Sequence, residues 1–340
     1  MPMLIDELLG EALTIRKKGN HTKNLRAKAG RVSRGVPEVM VKVTGFGKGG
    51  RHAKSHLNYI SRHGNVELET ESGEILDGKD AVTEHFKSWQ DGIEDGRQRK
   101  NQRDTMHLVL SMPAHVDEES VRRATRKFAS ETFGDNHRYM FALHTDGSNP
   151  HCHVTVLCHG RDGRKLNPRK ADLLAWREAF ADKIREQGYE AEATPRRARG
   201  VVRKAQRAVI RHIENGDRTH KPRVSRVRAA KIREAAKELE KGSTTNTPWE
   251  QAIAERQTKV RRSWLDAAET LEKQGAPESA ELAVRIRTMV AGMPPVETER
   301  QRMQQELKQR FRHDPEKAQQ VEQKNERTGT SKDKERDLER

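Results

Sequence analysis

The chain has 340 residues, of which 32% are hydrophobic, 4% aromatic and 35% charged; its formal net charge is +16 and its pI is near 9.9. So small an apolar fraction excludes a core that runs through the whole chain, and no stretch reaches the ~20 consecutive apolar residues of a membrane span. The excess of positive charge favours a polyanionic partner, with nucleic acid ahead of a membrane surface. Because the N-terminus lacks a signal-peptide pattern, we expect a cytoplasmic protein without membrane insertion.

The first half of the chain predicts a basic N-terminal arm at residues 1–36 and then a sheet with helices. Strand and helix patterns follow one another without the regular rhythm of a doubly wound fold. They predict an α+β (α/β) fold, in which an antiparallel five-stranded sheet has helices on one face and the functional site on the other. Predicted strands lie at 38–46, 65–77 (a hairpin), 105–112, 138–144 and 151–158, and predicted helices at 51–62, 79–96, after Asp117, and at 171–187.

The segment His-Thr-Asp-Gly-Ser-Asn-Pro-His-Cys-His, from His144 to His153, carries the strongest chemical signal. Its Asp, Gly, Asn and Pro predict a tight connection between two strands. Since side chains alternate along a strand, His151 and His153 share one face while Cys152 belongs to the apolar face behind them. If the intervening residues close the hairpin, His144 lies opposite His151, and the small Ala142 sits beside His153. Three imidazoles can then hold one metal ion. The less favoured alternative is that the three histidines are scattered over a polar sheet face and bind no ion.

Other residues of this second strand are expected to have structural roles. His159 has the same parity as the paired histidines but lies about 20 Å beyond His153 at ~3.3 Å per residue, so a fourth ligand is not expected there. Cys152 and Cys158 are the only cysteines of the chain. They are too far apart to bridge within an extended strand, and we expect them to be reduced and buried.

The composition becomes strongly basic after Thr194. A solvated helix face would explain this, but the excess of one sign favours a segment that contacts phosphates. We therefore predict that the chain divides into a sheet domain at 37–195, a basic helical DNA-binding region at 196–295 and a charged, flexible tail at 296–340. The residues predicted to contact DNA in the basic region are Arg196, Arg197, Arg199, Arg203 and Lys204.

Three motifs, in chain order, resemble those of conjugative relaxases. They are Ser-His-Leu-Asn-Tyr-Ile-Ser-Arg around Tyr59, His-Leu-Val-Leu-Ser-Met-Pro from His107, and the histidine segment that ends at His153. The nearest resemblance is to the HUH-type mobilisation endonucleases of the MOB-P group, and it covers roughly residues 38–190. The third motif is highly specific and the first two are moderately so. The one departure is the long N-terminal arm, which sets the tyrosine later than is common in the family.

This resemblance implies a bacterial DNA relaxase. Tyr59 would attack one phosphodiester at the nick site of an origin of transfer, leaving a 3′ hydroxyl and a 5′ phosphotyrosine link for conjugative transfer and later religation. A divalent ion, Mg²⁺ or Mn²⁺, would be bound by the three histidines of the last motif. Accessory relaxosome proteins and a coupling protein would be partners, with single-stranded and origin-of-transfer DNA as the substrate.

Further residues near these motifs are candidates for supporting roles. Asp146 is a candidate to orient an imidazole or to accept the tyrosine proton, with a turn-forming aspartate as an equal alternative. Ser111 lies in the second motif, where the resemblance implies a DNA contact, and a polar serine of the sheet face is the alternative. Lys54 and Arg62, the basic residues on either side of the nucleophile, are also predicted to contact DNA.

Elimination among the three tyrosines supports the choice of nucleophile. Tyr139 falls on the apolar face of a strand, and Tyr189 follows Gly188 at a helix end, where packing is expected. Only Tyr59 lacks an evident structural role. The nearest rival function is a rolling-circle replication initiator, which would have to use Tyr189; a non-catalytic basic DNA-binding protein with a structural metal is another, and a hydrolase of small phosphoesters fits poorly with the charge.

Overall fold

The computed structural model describes residues 5–13, 25–95, 101–203, 206–216, 220–241 and 247–313. The strands are β1 (Met40–Gly47), β2 (Leu68–Thr70), β3 (Ile75–Leu76), β4 (Thr105–Ser111), β5 (Tyr139–His144) and β6 (His151–Leu157). The helices are α1 (Ile5–Ala12), α2 (Leu25–Ser33), α3 (Gly49–Ile60), α4 (Gly78–Asp95), α5 (Glu118–Ala129), α6 (Lys170–Glu186), α7 (Ala208–Asn215), α8 (Arg226–Glu240), α9 (Pro248–Glu272), α10 (Pro277–Ala291) and α11 (Glu299–His313).

The predicted antiparallel sheet is confirmed, with six strands in the order β1-β4-β6-β5-β2-β3. The structure has one strand more than the five predicted, because the hairpin expected at 65–77 contributes two strands: β2 pairs with β5, and β3 pairs with β2 at the edge of the sheet. The two strands that carry the histidines, β5 and β6, therefore lie inside the sheet, with β4 on the far side of β6. A strand bonded on both sides holds its side chains in fixed positions.

One face of the sheet is covered by α5 and α6. Cys152 and Val154 of β6 are fully buried there, together with Phe128 of α5 and Phe180 of α6. The rings of Phe128 and Phe180 meet edge to face at 6.0 Å between centroids, a favourable arrangement for aromatic pairs. Asp117 caps α5 as predicted, because its carboxylate accepts a hydrogen bond from the backbone of the first turn at 2.8 Å. The alternate, apolar residues of β6 are thus all buried against the helices on this face.

The opposite face, which carries the histidines, is also covered in part. Leu57 of α3 and Trp89 of α4 are fully buried against Met140 and Ala142 of β5. The expectation that helices lie on one face only was therefore wrong. Met140 and Ala142 share a face with His144 but are apolar, and α3 and α4 shield them from water. The histidines lie at the end of these strands next to the last turn of α3.

The described residues form two compact units. The first comprises 1–195 and 263–291, and the second comprises 196–262 and 292–340. Within the first unit, α2 packs against α10, where Ile286 is fully buried. Lys28 of α2 is buried and forms ion pairs of 3.0 Å with both Glu178 and Glu192. The described part of the predicted arm is therefore helical, whereas residues 1–4 and 14–24 lie outside the described residues.

The second unit is helical. Its α8 packs against α11, and Glu250 at the start of α9 is buried. Burial opposes ionisation of this carboxyl, but hydrogen bonds from Arg300, Thr298 and Thr247 lower the pKa of Glu250 to about 2. The predicted tail is partly this unit's α11, and residues 314–340 lie outside the described residues. Among the described residues, no helix has both the length and the apolar character needed to cross a membrane.

We predict that Ile286→Ala lowers the free energy of unfolding by about 2–5 kcal/mol, because it removes a fully buried side chain between α10 and its neighbours. The matched control is Val284→Ala on the same helix, where the side chain is 61% exposed and the change should stay within about 0.5 kcal/mol. Urea unfolding followed by circular dichroism measures both variants. Equal stability of the two would mean that α10 is not part of the first unit's core.

A candidate metal centre beside an exposed tyrosine

Three histidines meet at the turn end of the β5–β6 hairpin, where residues 145–150 connect the two strands. In the observed register His144 lies opposite His151 and Ala142 lies opposite His153, which is the pairing predicted from strand alternation. Each imidazole offers one nitrogen, and the three nitrogens lie within 4.8 Å of one another. This group could hold one metal ion once the rings close slightly around it, because metal–nitrogen bonds are about 2.1 Å long.

Backbone carbonyls fix the tautomers of two of these rings. His144 Nε2 lies 2.6 Å from the carbonyl oxygen of Ile60, and His151 Nδ1 lies 3.0 Å from that of Asn149. Because a carbonyl oxygen only accepts, these two nitrogens carry the protons. The lone pairs of His144 Nδ1 and His151 Nε2 are therefore available to a ligand. His153 Nδ1 is buried and has no hydrogen-bond partner in the described part of the chain.

The protonation state also suits a metal. Burial, and then the neighbouring imidazoles of His144 and His151, lower the pKa of His153 to about 3. Burial likewise lowers the pKa of His144. Both rings are neutral at physiological pH, as metal-binding histidines must be. Three imidazole donors suit several divalent ions, so the donor set fits the implied cofactor without selecting its identity.

Tyr59 is the aromatic residue next to this cluster. It lies on α3, whose stripe of Ala53, Leu57 and Ile60 is fully buried, and the ring itself is 52% exposed. Its centroid is 5.8 Å from that of His153, in an edge-on arrangement. The tyrosine ring is therefore half exposed at the border of the three-histidine cluster.

Arg62 joins the tyrosine to the histidines. Its guanidinium carbon lies 5.5 Å from the centroid of Tyr59, and one of its nitrogens lies 3.3 Å from His144 Nδ1. The same nitrogen donates to the carboxylate of Asp146 at 2.5 Å. Asp146, predicted to orient an imidazole or accept a proton, thus contacts the guanidinium that also contacts His144; its role stays a prediction.

The other predicted DNA contacts have different positions. Ser111 is buried opposite His151, and its hydroxyl donates to the carbonyl oxygen of Pro150 at 3.1 Å, so its described contacts hold the hairpin. Lys54 is half-buried on α3. In the basic segment Arg196, Arg197 and Arg203 are exposed and Arg199 is half-buried, whereas Lys204 lies outside the described residues. DNA contact by these residues stays a prediction.

A second imidazole pair lies beside the cluster and was missed in part by sequence reasoning. His56 of α3 stacks on His107 of β4 with 3.4 Å between ring centroids, and its Nδ1 lies 2.9 Å from the hydroxyl of Thr155. Burial above all lowers the pKa of His56 to about 3 and that of His107 to about 4, so the two rings stack without charge repulsion. His107 was identified in the sequence as the start of the second motif; the spacing of His56, three residues before Tyr59 on a helix, was the signal for the other ring.

Tyr189, the rival nucleophile, packs on the opposite side of the sheet. Its side chain lies against the cluster of Cys152 and Phe128, and its phenol oxygen accepts a hydrogen bond of 3.3 Å from the backbone of Asp117. This is the packing role that its place at a helix end predicted. Both cysteines are buried and free, as expected, and burial raises the pKa of each thiol to about 12.

Comparisons with known proteins found one matching family model and several similar proteins. Residues 59–189 match the family model of the MobA/VirD2-like relaxase nuclease domain. The T-DNA border endonuclease VirD2 of Rhizobium radiobacter is 32% identical over 168 residues, which cover 44% of this chain and 39% of that protein. The 43 kDa relaxation protein of Salmonella typhimurium is 25% identical over 161 residues, 41% of this chain and 42% of its own.

The chain thus spans about two fifths of the length of these curated relatives. A solved structure from a study of the molecular basis of vancomycin resistance transfer in Staphylococcus aureus aligns with 47% of this chain and 99% of its own, at 13% identity and a TM-score of 0.32. That score is too low to carry an argument.

We predict that His151→Ala weakens Mn²⁺ binding by at least about tenfold, since even the loss of a residue that only supports a metal ligand costs 10–100-fold. The fold should persist, because His151 is partly exposed and the apolar side of β6 is unchanged. His159→Ala is the control: His159 is outside the cluster, so this variant should bind the ion as tightly as the wild type does. Isothermal titration calorimetry gives both affinities. A normal affinity in His151→Ala would remove it from the ligand set.

Proposed function

We propose that this chain nicks one DNA strand at an origin of transfer through attack by Tyr59, since residues 59–189 match the family model of the MobA/VirD2-like relaxase nuclease domain. The observation that carries the proposal is the exposed phenol at 5.8 Å from the ring of His153, at the edge of a three-histidine cluster. Assignment to the MOB-P group rests on the three sequence motifs and stays a prediction.

The proposed reaction exchanges one phosphoester for another. The Tyr59 hydroxyl loses its proton as its oxygen forms a bond to phosphorus. The bond from phosphorus to the 3′ oxygen breaks, and that oxygen takes up a proton to leave a 3′ hydroxyl, so one proton is released and one is taken up. The strand stays joined to the protein through a 5′ phosphotyrosine bond. No high-energy cofactor is needed, because the phosphoester link is conserved, and attack by a 3′ hydroxyl reverses the step and religates the DNA.

The chain's own residues would hold and orient the reacting groups. When bound by His144, His151 and His153, a divalent ion would supply positive charge for the non-bridging phosphate oxygens. The last turn of α3 places Tyr59 beside this cluster, and holding nucleophile and phosphate together lowers the entropic part of the barrier. An orienting role for Asp146 is supported by its contact with Arg62, which in turn contacts His144.

The basic segment and the partners complete the proposal. Exposed Arg196, Arg197 and Arg203 are suited to contact phosphates of the origin, a contact that fixes the position of the DNA and not its sequence. Accessory relaxosome proteins and a coupling protein are expected from the family resemblance. Cytoplasmic location is likewise proposed, since origin DNA is found there.

We predict that Tyr59→Phe abolishes strand cleavage and covalent attachment, because it removes the one atom that attacks phosphorus and leaves the ring in place. Tyr189→Phe should cleave normally, as its hydroxyl is bonded to the backbone on the opposite side of the sheet. Labelled single-stranded origin oligonucleotides with Mn²⁺, resolved on a denaturing gel, show both products. An adduct in Tyr59→Phe, or its loss only in Tyr189→Phe, would favour a replication initiator instead.

We predict that Arg203→Gln weakens DNA binding at every sequence and reduces the slope of log affinity against log salt by about 1, the value expected for one lost phosphate contact. Arg164→Gln is the matched control, since its side chain is 89% exposed but lies outside the basic segment. Fluorescence anisotropy across a salt series measures the slopes. A slope unchanged from the wild type in Arg203→Gln would count against this contact. Point variants are preferred to truncation after residue 195, which would also remove α10 from the first unit.

A further inference from the structure

Arg62 has an unusual backbone for an arginine. Its φ is +50° and that of His63 is +60°, and they are the non-glycine residues with positive φ within the described chain. Such values are rare for L-residues with large side chains and persist where the surroundings impose them. Here Ser61 binds back to the loop, since its carbonyl oxygen accepts from Val66 at 2.9 Å. At Gly64, a Cβ would lie 2.4 Å from the backbone nitrogen of Lys79, so the loop is closely packed.

This strained turn directs the Arg62 side chain back over the site. The guanidinium contacts Tyr59, His144 and Asp146, three of the residues assigned to the reaction. Its side chain is 37% exposed and that of Asp146 is 61% exposed, so the ion pair between them is accessible to solvent. A pair of this kind contributes little to stability and can be exchanged for another partner.

The contact with His144 has a consequence for metal binding. Because Nε2 of this ring donates to Ile60, only the lone pair of Nδ1 is free, and the Arg62 guanidinium, which can only donate, points at that lone pair from 3.3 Å. A metal ion bound by His144 would need the same lone pair. It would also lie next to a full positive charge. The guanidinium position seen here and a metal ion on Nδ1 are therefore mutually exclusive.

We propose that Arg62 is a positioning residue that occupies the metal-binding nitrogen of His144 and is displaced when the ion binds, with a DNA phosphate as the anion that draws the guanidinium away. Metal and DNA then favour each other's binding, because each removes a contact that opposes the other. The competition with the metal stands on the contacts alone; the part played by DNA phosphate rests on the proposed function.

The first test measures Mn²⁺ affinity by calorimetry on the full chain without DNA. Arg62→Asn removes the guanidinium while asparagine tolerates the left-handed backbone, and Arg62→Gly serves as a second variant of the same kind. If the free nitrogen is available in about one tenth of wild-type molecules, both variants bind about tenfold more tightly. His63→Asn, which alters the adjacent left-handed residue, should bind like the wild type. Unchanged affinity in both Arg62 variants overturns the proposal.

Lys54→Gln separates competition from simple charge. It removes a positive charge from α3 without touching His144, so any gain reflects long-range repulsion. Repeating the titrations in about 1 M salt, where the Debye length is ~3 Å, should abolish such a gain but retain that of Arg62→Asn. A gain in Arg62→Asn that disappears in high salt, as in Lys54→Gln, would show that the guanidinium acts only as a charge and would overturn the proposal.

The second test concerns DNA and uses the Tyr59→Phe background, in which binding is measured without cleavage. Addition of a single-stranded origin oligonucleotide should raise Mn²⁺ affinity more in Tyr59→Phe than in Tyr59→Phe with Arg62→Asn, since only the former has a competitor to lose. Equal enhancement in the two would overturn the role of the phosphate. Cleavage by the wild type decides the proposed nicking function separately, because the metal titration without DNA does not depend on it.

Discussion

A short hydrogen bond links the helix of the tyrosine to the strands of the histidines. His144 Nε2 donates to the carbonyl oxygen of Ile60, the residue after Tyr59, at 2.6 Å. One such bond contributes only about 1 kcal/mol, but its geometry has two effects that no apolar contact supplies. It selects the nitrogen of His144 that can face a ligand, and it ties the last turn of α3 to the turn end of the hairpin. Burial of Leu57 and Ile60 stabilises the packing of α3, and the hydrogen bond fixes how its last turn is oriented toward His144.

The two faces of β6 show how one strand serves folding and chemistry together. Cys152 and Val154 are fully buried, so the strand cannot slip by one residue without placing histidines in the core. Its position is further held by pairing with β4 and β5 on either side. His151 and His153 therefore stand on the outer face of a strand whose register is set by hydrophobic burial. The neutral state of His153 follows from the same packing, which removes water from the ring.

The sequence predicted this part of the molecule well because its determinants are local. Strand alternation, turn residues and a capping aspartate act over a few positions, and they placed the three histidines, the exposed tyrosine and the helix after Asp117. Helices on both faces of the sheet and the packing of α2 on α10 depend on contacts between residues far apart in the chain, which no local pattern specifies. The left-handed Arg62 was also beyond reach, since Ser-Arg-His-Gly contains only one residue typical of such a turn. His56 could have been found from helical spacing alone.

The packing of α2 against α10 has a consequence for biosynthesis. These helices are separated by more than two hundred positions of chain, and closing so large a loop is entropically costly and slows folding. During translation the whole sheet emerges from the ribosome well before α10 does. A nascent chain must therefore hold the apolar side of α2 exposed for the time needed to make the intervening residues. The first unit is therefore complete only after residues 263–291 have been made, the part of the chain that contains the buried Ile286.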